Sequence, residues 1–332
     1  MKKLSLTMLT LAVATLGLAS CTGTQAKEVD PIKVGILQPV EHPALEAARE
    51  GFKQGLEESG YKGKVEFVYR NAGGKAADQT AFAKDLVSTC DMYLGIGTDA
   101  SKDLKSAAEE KGLLKPLLFT AVTDPVDAGL VSSLANGTGF VTGTSDMQPI
   151  EAQIDLIQEC IPTVDKVGIL YTQSETNSVA QANQASTALT AKGITPVVQT
   201  CTGPSDVSAA AAALAGTAGL DAIYIPTDNN IAANTDAVKT AVSSSGILVV
   251  TGEENMMKGC GHATLSIDYT ALGKVTGEMA AQILKDNLVP GKLPVKVMTS
   301  SECNYVMSAA NCADAHVTLP DSVLAKCTNL DE

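Results

Sequence analysis

Six segments of the chain place hydroxyl, amide and carboxylate side chains directly after short apolar runs. They span residues 38–43, 97–101, 122–125, 171–178, 226–230 and 251–255, and none of them contains Lys or Arg. Each segment also opens a predicted helix, whose free backbone N–H groups can hold a carboxylate. Acidic side chains in the same segments can hold an ammonium group. These residue types predict a site for a small zwitterion rather than for a phosphorylated compound, which would require basic partners.

The candidate ligand contacts come from these segments and from two extended segments that end in Asp, at 141–146 and 265–268. They are Gln38, Thr98, Thr123, Ser145, Asp146, Asn177, Asp228, Asn229, Glu253 and Asp268. We expect Asp228 to pair with the ammonium, and Thr98 and Thr123 to hold the carboxylate. The same residue types are preferred helix N-caps, so capping alone is the alternative at each position.

Motifs that would indicate an enzyme or a cofactor are missing from the sequence. Gly95-Ile96-Gly97 does not extend to the dinucleotide-binding GxGxxG pattern, and no GxSxG nucleophile motif occurs. His42 is the one histidine in a segment predicted to line a cleft, and no CxxC pair supports a metal site. An extracytoplasmic hydrolase would need a nucleophile, a base and an orienting group in one cleft. We therefore expect no catalysis, no cofactor and no metal.

Alternating strands and helices position the polar segments. The expected strands include Val34–Leu37, Val65–Tyr69, Met92–Ile96 and Leu117–Ala121, and the expected helices include Pro43–Ser59 and Ala76–Thr89. This alternation predicts an α/β fold with a doubly wound parallel sheet. In such a sheet, ligands bind beyond the carboxyl ends of the strands, which is where the polar segments lie.

The second half of the chain repeats the first. The pentapeptide KVGIL occurs at residues 33–37 and again at 166–170, and the run from Asp91 to Asp99 has a counterpart from Asp221 to Asp228. Residues 116–124 correspond in the same way to 246–253, at an offset that stays near 130 residues. We expect two similar doubly wound lobes. The segments ending in Asp146 and Asp268 lie where the chain would cross between lobes, so these carboxylates could respond to a hinge movement.

The N-terminus predicts export. Lys2 and Lys3 precede the apolar stretch 4–18, which is too short and too Thr-rich to span a bilayer stably, and residues 1–20 are the expected signal peptide. Leu18-Ala19-Ser20-Cys21 resembles the bacterial lipobox, which implies a lipid on Cys21 and a tether over 21–30. An ordinary signal peptide with an incidental cysteine is the alternative. We expect the mature chain to be held at the membrane by the lipid alone.

Charge and cysteine content narrow the possible partners. The net charge of −13 argues against binding to nucleic acid or to an anionic membrane surface, and loss of the two signal-peptide lysines makes the chain more acidic still. Seven cysteines remain after Cys21, so at least one thiol stays unpaired within the chain even if disulfides form after export. The pairing stays open.

Several of the quoted segments together resemble one known family. Residues 34–38 with His42-Pro43, 122–125, 141–146, 174–178 and 226–229 are similar to the ABC-transporter substrate-binding proteins that include tryptophan- and tyrosine-binding lipoproteins. The resemblance covers about residues 31–327. It implies a type I periplasmic-binding-protein fold, with residues 31–145 and 269–298 in one lobe and residues 146–268 and 299–332 in the other.

The resemblance also implies a function. We expect a monomer that closes by a hinge on a small ligand, an aromatic or similar L-amino acid, and then docks on an ABC permease with its ATPase. Such a protein is exported and lipid-anchored, at the extracellular face of the cell membrane or in a periplasm. A binding protein of the same fold that signals to a membrane receptor is the alternative.

Overall fold

The structure is a computed structural model that describes residues 30–298 and 302–331. The predicted signal peptide, Cys21 and the tether up to residue 29 lie outside these residues. Within the described ranges, no helix is both long enough and apolar enough for a membrane crossing.

The first sheet is parallel throughout and takes its strands mainly from the first half of the chain. Its strands are β1 (Ile32–Gln38), β2 (Val65–Asn71), β3 (Met92–Ile96), β4 (Leu117–Val122), β5 (Val141–Ser145) and β11 (Lys296–Val297), in the order β11-β5-β4-β3-β1-β2. The side chains of β3, β4 and β5 are buried along their whole length. Such continuous burial is expected of a parallel sheet that is covered on both faces.

The second sheet repeats this arrangement. Its strands are β6 (Lys166–Thr172), β7 (Thr195–Cys201), β8 (Ala222–Ile225), β9 (Leu248–Thr251), β10 (Ala263–Ile267), β12 (Cys303–Met307) and β13 (Thr328–Asn329), in the order β13-β12-β10-β9-β8-β6-β7. All its strand pairs are parallel except β10 with β12. The prediction of an α/β fold with two parallel-dominated sheets is confirmed.

Helices cover both faces of each sheet. Around the first sheet are α1 (Pro43–Leu56), α2 (Ala76–Thr89), α3 (Thr98–Lys111) and α10 (Tyr269–Asp286). Around the second are α4 (Ile150–Cys160), α5 (Thr176–Ala191), α6 (Val207–Ala215), α7 (Asn229–Ala232), α8 (Thr235–Val242), α9 (Glu254–Cys260), α11 (Ala309–Ala315) and α12 (Asp321–Leu324). Helix α1 ends earlier than the predicted residue 59, and a π-helical turn at Glu57–Tyr61 follows it, with Gly60 at φ 98°.

The chain passes between the two sheets three times. It leaves the first sheet after β5, returns from β10 to α10, and leaves again between β11 and β12. Four buried apolar clusters, two for each sheet, fill the spaces between sheets and helices. Because the strands divide between the sheets in this way, we propose the lobe limits 31–145 with 269–298 and 146–268 with 299–332.

Glycines allow α1 and α10 to pack with their backbones in contact. A Cβ on Gly273 would lie 2.0 Å from the carbonyl oxygen of Ala48, and a Cβ on Gly51 would lie 2.1 Å from that of Thr270. Gly55 and Gly277 make the same kind of close contact with the backbone of the other helix one turn further along. This contact holds Tyr269, at the start of α10, beside the carboxyl ends of the first sheet.

Candidate ligand-binding site

A small cavity of about 20 Å³ lies where the strand-end loops of the two sheets meet. Six of the ten predicted contacts line it, namely Thr123, Asp146, Asn177, Asp228, Asn229 and Glu253. The remaining lining residues, which were not among the predicted contacts, are His42, Ala44, Leu45, Ala121, Thr227, Ala232, Met256 and Tyr269. No Lys or Arg is found among the described residues that line the cavity.

The other four predicted contacts do not line this cavity. Gln38 is buried beside its own loop, where its Nε2 donates to the Val40 carbonyl at 2.8 Å. Thr98 is buried at the first position of α3. The Ser145 hydroxyl donates to the Thr123 carbonyl at 2.7 Å, and Asp268 is an exposed N-cap of α10. For Asp268, the structure therefore displays the capping role that the sequence left open.

Hydrogen bonds join the two sheets' loops across the cavity. Asn229 Oδ1 lies 3.1 Å from His42 Nε2, and Gln181 Nε2 donates to Thr123 Oγ1 at 3.3 Å. Gln181 also donates to Thr227 Oγ1. Because His42 and Thr123 follow strands of the first sheet while Asn229 and Gln181 belong to the second half, the two halves of the structure are in direct contact around the cavity.

Asp228 is occupied by donors of the protein itself. Its carboxylate accepts from Thr172 N at 2.6 Å, from Thr172 Oγ1 at 2.9 Å and from Ile231 N at 2.9 Å. It is thus the N-cap of α7 and ties that helix to the end of β6. Burial raises the pKa of Asp228. These three bonds leave the carboxylate little capacity for the ammonium partner predicted for it.

Glu175, which was not predicted as a contact, fixes the orientation of Asn229. Its Oε2 accepts from Asn229 Nδ2 at 2.7 Å and from the backbone N of Asn229 at 3.0 Å, and its Oε1 accepts from Asn230 N at 2.9 Å. Burial, reinforced by the nearby Asp228 charge, raises the pKa of Glu175. In the sequence this residue looked like a cap, because it directly precedes α5.

Glu253 is another buried carboxylate with internal donors. It caps α9 by accepting from Asn255 N at 2.7 Å and from Met256 N at 2.5 Å. Burial raises the pKa of Glu253 to about 7, because the ionised form loses its hydration while only these two N–H groups compensate.

Asp146 differs from the other carboxylates in keeping one oxygen unpaired. Its Oδ2 accepts from the Tyr269 hydroxyl at 2.7 Å, whereas its Oδ1 is buried and has no hydrogen-bond partner among the residues that the structure describes. Burial raises the pKa of Asp146. The Tyr269 and Thr123 hydroxyl groups nearby act in the opposite direction and lower it. An unpaired buried carboxylate oxygen is costly, so this position suits a cationic donor.

His42 carries a second unpaired acceptor position on the cavity wall. Its ring is buried, and its Nδ1 has no partner within the described part of the chain. Burial lowers the pKa of His42 to about 4, so the ring is neutral near pH 7. The sequence placed His42 in a cleft loop but carried no signal of how its ring is engaged.

A larger groove of about 770 Å³ lies between α4 and α5, shares no residue with the cavity and is lined from one half only. No group of three or more His, Cys, Asp or Glu among the described residues is arranged to hold a metal ion. Cys90, Cys160, Cys201, Cys260, Cys312 and Cys327 are free thiols in this structure.

Comparison with known proteins shows that the chain is similar to substrate-binding proteins of ABC transporters. Residues 33–330 match the family described as ABC transporter substrate binding protein. Over 272 residues, the chain is 32% identical to a tyrosine-binding protein of Clostridioides difficile (strain R20291), a match that covers 81% of this chain and 77% of that relative.

Two solved structures are similar over most of the chain. A crystal structure of an ABC domain in complex with L-Trp, from Streptococcus pneumonia, has a TM-score of 0.84 at 31% identity and covers 90% of this chain and 99% of that chain. The ligand-free, open structure of a substrate-binding protein with adhesive properties from Clostridium difficile has a TM-score of 0.66 at 29% identity, with the same coverage. Both structures share the two-sheet α/β architecture described above.

Proposed function

The chain belongs to the family of ABC transporter substrate-binding proteins, and from that membership we propose that it captures an aromatic L-amino acid for an ABC importer. Its fold is that of the type I periplasmic binding proteins, and the matched relatives are substrate-binding proteins rather than enzymes. Two of them are named for, or solved with, tyrosine and tryptophan. The amino acid class is the part of the proposal that these names support.

The observation that carries the proposal is the unpaired Oδ1 of Asp146 in a cavity without a basic side chain. A ligand ammonium placed there satisfies the buried oxygen and favours the ionised carboxylate, whose pKa burial otherwise raises. We therefore assign the ammonium to Asp146 and not to Asp228, whose oxygens already serve Thr172 and Ile231.

The ligand carboxylate is assigned to neutral donors. Thr123 Oγ1 accepts a hydrogen bond from Gln181 and lies 3.5 Å from Thr227 Oγ1, and its hydroxyl can rotate to donate to the ligand. A ligand side chain would pack on the apolar part of the wall, where Ala44, Leu45 and Met256 lie. The thioether of Met256 suits an aromatic ring in particular, because sulfur makes favourable contacts with ring edges.

Hinge closure between the two lobes completes the binding cycle. The structure is more similar to the L-Trp complex (TM-score 0.84) than to the ligand-free open protein (TM-score 0.66), although the two identities differ by little. The bonds from His42 to Asn229 and from Gln181 to Thr123 would break if the lobes separated. These observations support a closed form. Contacts that exist only when the two lobes meet would stabilise it.

Export and membrane attachment follow from the N-terminal sequence. We propose a lipid on Cys21 that holds a monomeric binding protein at the outer surface of the cell membrane or in a periplasm, where it docks on the permease and ATPase subunits. Radiolabelled fatty acid should enter the wild-type protein and not the Cys21→Ala variant.

Ligand binding is tested first by a thermal-shift screen of the twenty L-amino acids. A ligand that binds only the folded chain raises Tm, and we expect tyrosine, tryptophan or phenylalanine to give the largest rise. The Asp146→Asn variant should then bind that ligand about 10- to 100-fold more weakly by calorimetry, because it loses a buried charged hydrogen bond.

The matched control is Asp268→Asn, which alters an exposed helix cap outside the cavity. It should leave the ligand affinity within about twofold of the wild-type value, as surface changes generally do. The assignment to Asp146 is wrong if both variants bind alike. If no amino acid raises Tm, the proposed ligand class is rejected.

A further inference from the structure

The hydrogen bonds around His42 determine which of its two ring nitrogens carries the hydrogen. Glu175 Oε2 accepts from Asn229 Nδ2 at 2.7 Å, which turns Asn229 Oδ1 toward His42. An amide oxygen only accepts, so His42 Nε2, at 3.1 Å, must carry the hydrogen. In a neutral ring the other nitrogen, Nδ1, is then a bare acceptor.

That acceptor has no partner, and it belongs to a residue that lines the cavity. His42 is 7% exposed, and its Nδ1 accepts no hydrogen bond from any described residue. Burial lowers the pKa of His42 to about 4, so near pH 7 the ring stays neutral and cannot satisfy Nδ1 by taking up a proton. A buried nitrogen that stays unpaired has lost its hydration without compensation, so a ligand that donates to it should bind about tenfold more tightly or better.

His42 and Asp146 reach the cavity from well-separated strands. His42 follows β1 and Asp146 follows β5, with β3 and β4 between them in the sheet. Each side chain then extends through its own loop to the same cavity. Because they start from different parts of the sheet edge, the two unpaired acceptors can serve two separate donor groups of the ligand.

We propose that His42 is a specificity-determining residue, whose Nδ1 accepts a hydrogen bond from a donor at the side-chain end of the amino acid while Asp146 holds the ammonium. This inference rests on the proposed function. The site then favours a phenol O–H or an indole N–H over a ring that carries no donor. An amino acid whose ring carries no donor binds more weakly, because it leaves Nδ1 buried and unpaired.

Paired ligands test the proposal in the wild-type protein. Calorimetry should show L-tyrosine binding at least tenfold more tightly than L-phenylalanine, or L-tryptophan at least tenfold more tightly than its benzothienyl analogue, in which sulfur replaces the indole N–H. Equal affinities within both pairs would overturn the inference. Absence of binding by every amino acid would instead reject the proposed function itself.

Two variants separate the two ring nitrogens. His42→Gln can still donate to Asn229 but places no acceptor at the Nδ1 position, so the ratio within the preferred pair should fall to about one. His42→Asn keeps an acceptor near Nδ1 and loses the contact to Asn229, so both ligands of the pair should weaken together and the ratio should persist. Equal weakening of both ligands by His42→Gln would mean that His42 holds the shared ammonium, contrary to the proposal.

Discussion

At the scale of single residues, some carboxylates ahead of helices cap the helix that follows and others do not. Asp228, Glu253 and Asp268 each accept hydrogen bonds from backbone N–H groups of the helix that follows. Asp146 lies four residues before α4, too far to cap it, and its Oδ1 stays unpaired. The position of a carboxylate relative to a helix start thus separates a structural role from a possible ligand-binding role.

The ionisation of Glu253 makes stability depend on pH. Its pKa rises from 4.5 in the unfolded chain to about 7 in the folded protein, so its contribution to stability is complete below pH 4.5 and is lost as pH rises through 7. The Glu253→Gln variant cannot ionise and should gain stability relative to wild type by about 3 kcal/mol between pH 4.5 and 8.

Urea denaturation of both proteins at several pH values measures this difference. Glu254→Gln, at the neighbouring position, provides the comparison. Glu254 is only partly buried, and nearby Lys258 opposes the increase in pKa that burial causes there. A difference between wild type and Glu253→Gln that stays constant from pH 4.5 to 8 would contradict the raised pKa of Glu253.

At the scale of elements, glycines determine which helices approach closely. In the repeated KVGIL strands, a Cβ on Gly35 would lie 3.0 Å from Cys90 Sγ, and one on Gly168 would lie 2.8 Å from the Leu214 side chain. The two strands thus use the same residue for the same purpose in both sheets. Between α1 and α10, the contact is closer still, because backbone faces backbone.

The Gly273→Ala variant tests that helix contact. The added methyl group would lie 2.0 Å from the Ala48 carbonyl oxygen, so α1 and α10 must separate. We expect a loss of about 2 kcal/mol in the free energy of unfolding, since overpacking outweighs the gain of about 1 kcal/mol in helix propensity.

A second glycine serves as its control. Gly203→Ala places a methyl group where no atom lies within 4 Å, at an extended backbone conformation, and should leave stability nearly unchanged. Equal stability of the two variants in urea denaturation would show that the α1–α10 backbone contact is not as tight as described.

At the scale of the whole molecule, two sheets with similar topology meet through their strand-end loops. Hydrogen bonds between them join Gln181 to Thr123 and His42 to Asn229. Polar contacts of this kind permit relative movement of the two halves. A ligand that bonds to both sides would shift the population toward the closed arrangement.

Small-angle X-ray scattering tests that movement. The radius of gyration should fall when the amino acid identified by thermal shift is added, because the proposed hinge closure makes the ligand-bound form more compact. An amino acid that gives no thermal shift should leave the value unchanged. A radius of gyration that is the same with and without the bound ligand would argue against hinge closure.

Much of the fold is determined by local sequence patterns. Short apolar runs, helical periodicity and the repeat of KVGIL predicted the strands and helices, because burial of alternate faces is a property of neighbouring residues. The prediction of α2 and β3 matches the structure residue for residue. The end of α1 was missed because Gly60 introduces a turn while the helical hydrogen bonding continues in π form.

The sequence by itself determined that polar loops gather at the strand ends, and six of the ten predicted contacts do line the cavity. Only the tertiary structure decided which polar atoms are left unpaired. His42 meets Asn229 across 187 residues of chain, and Tyr269 reaches Asp146 across 123. A hydrogen bond requires its atoms to lie within about 3 Å, and no local pattern specifies such distances between remote segments.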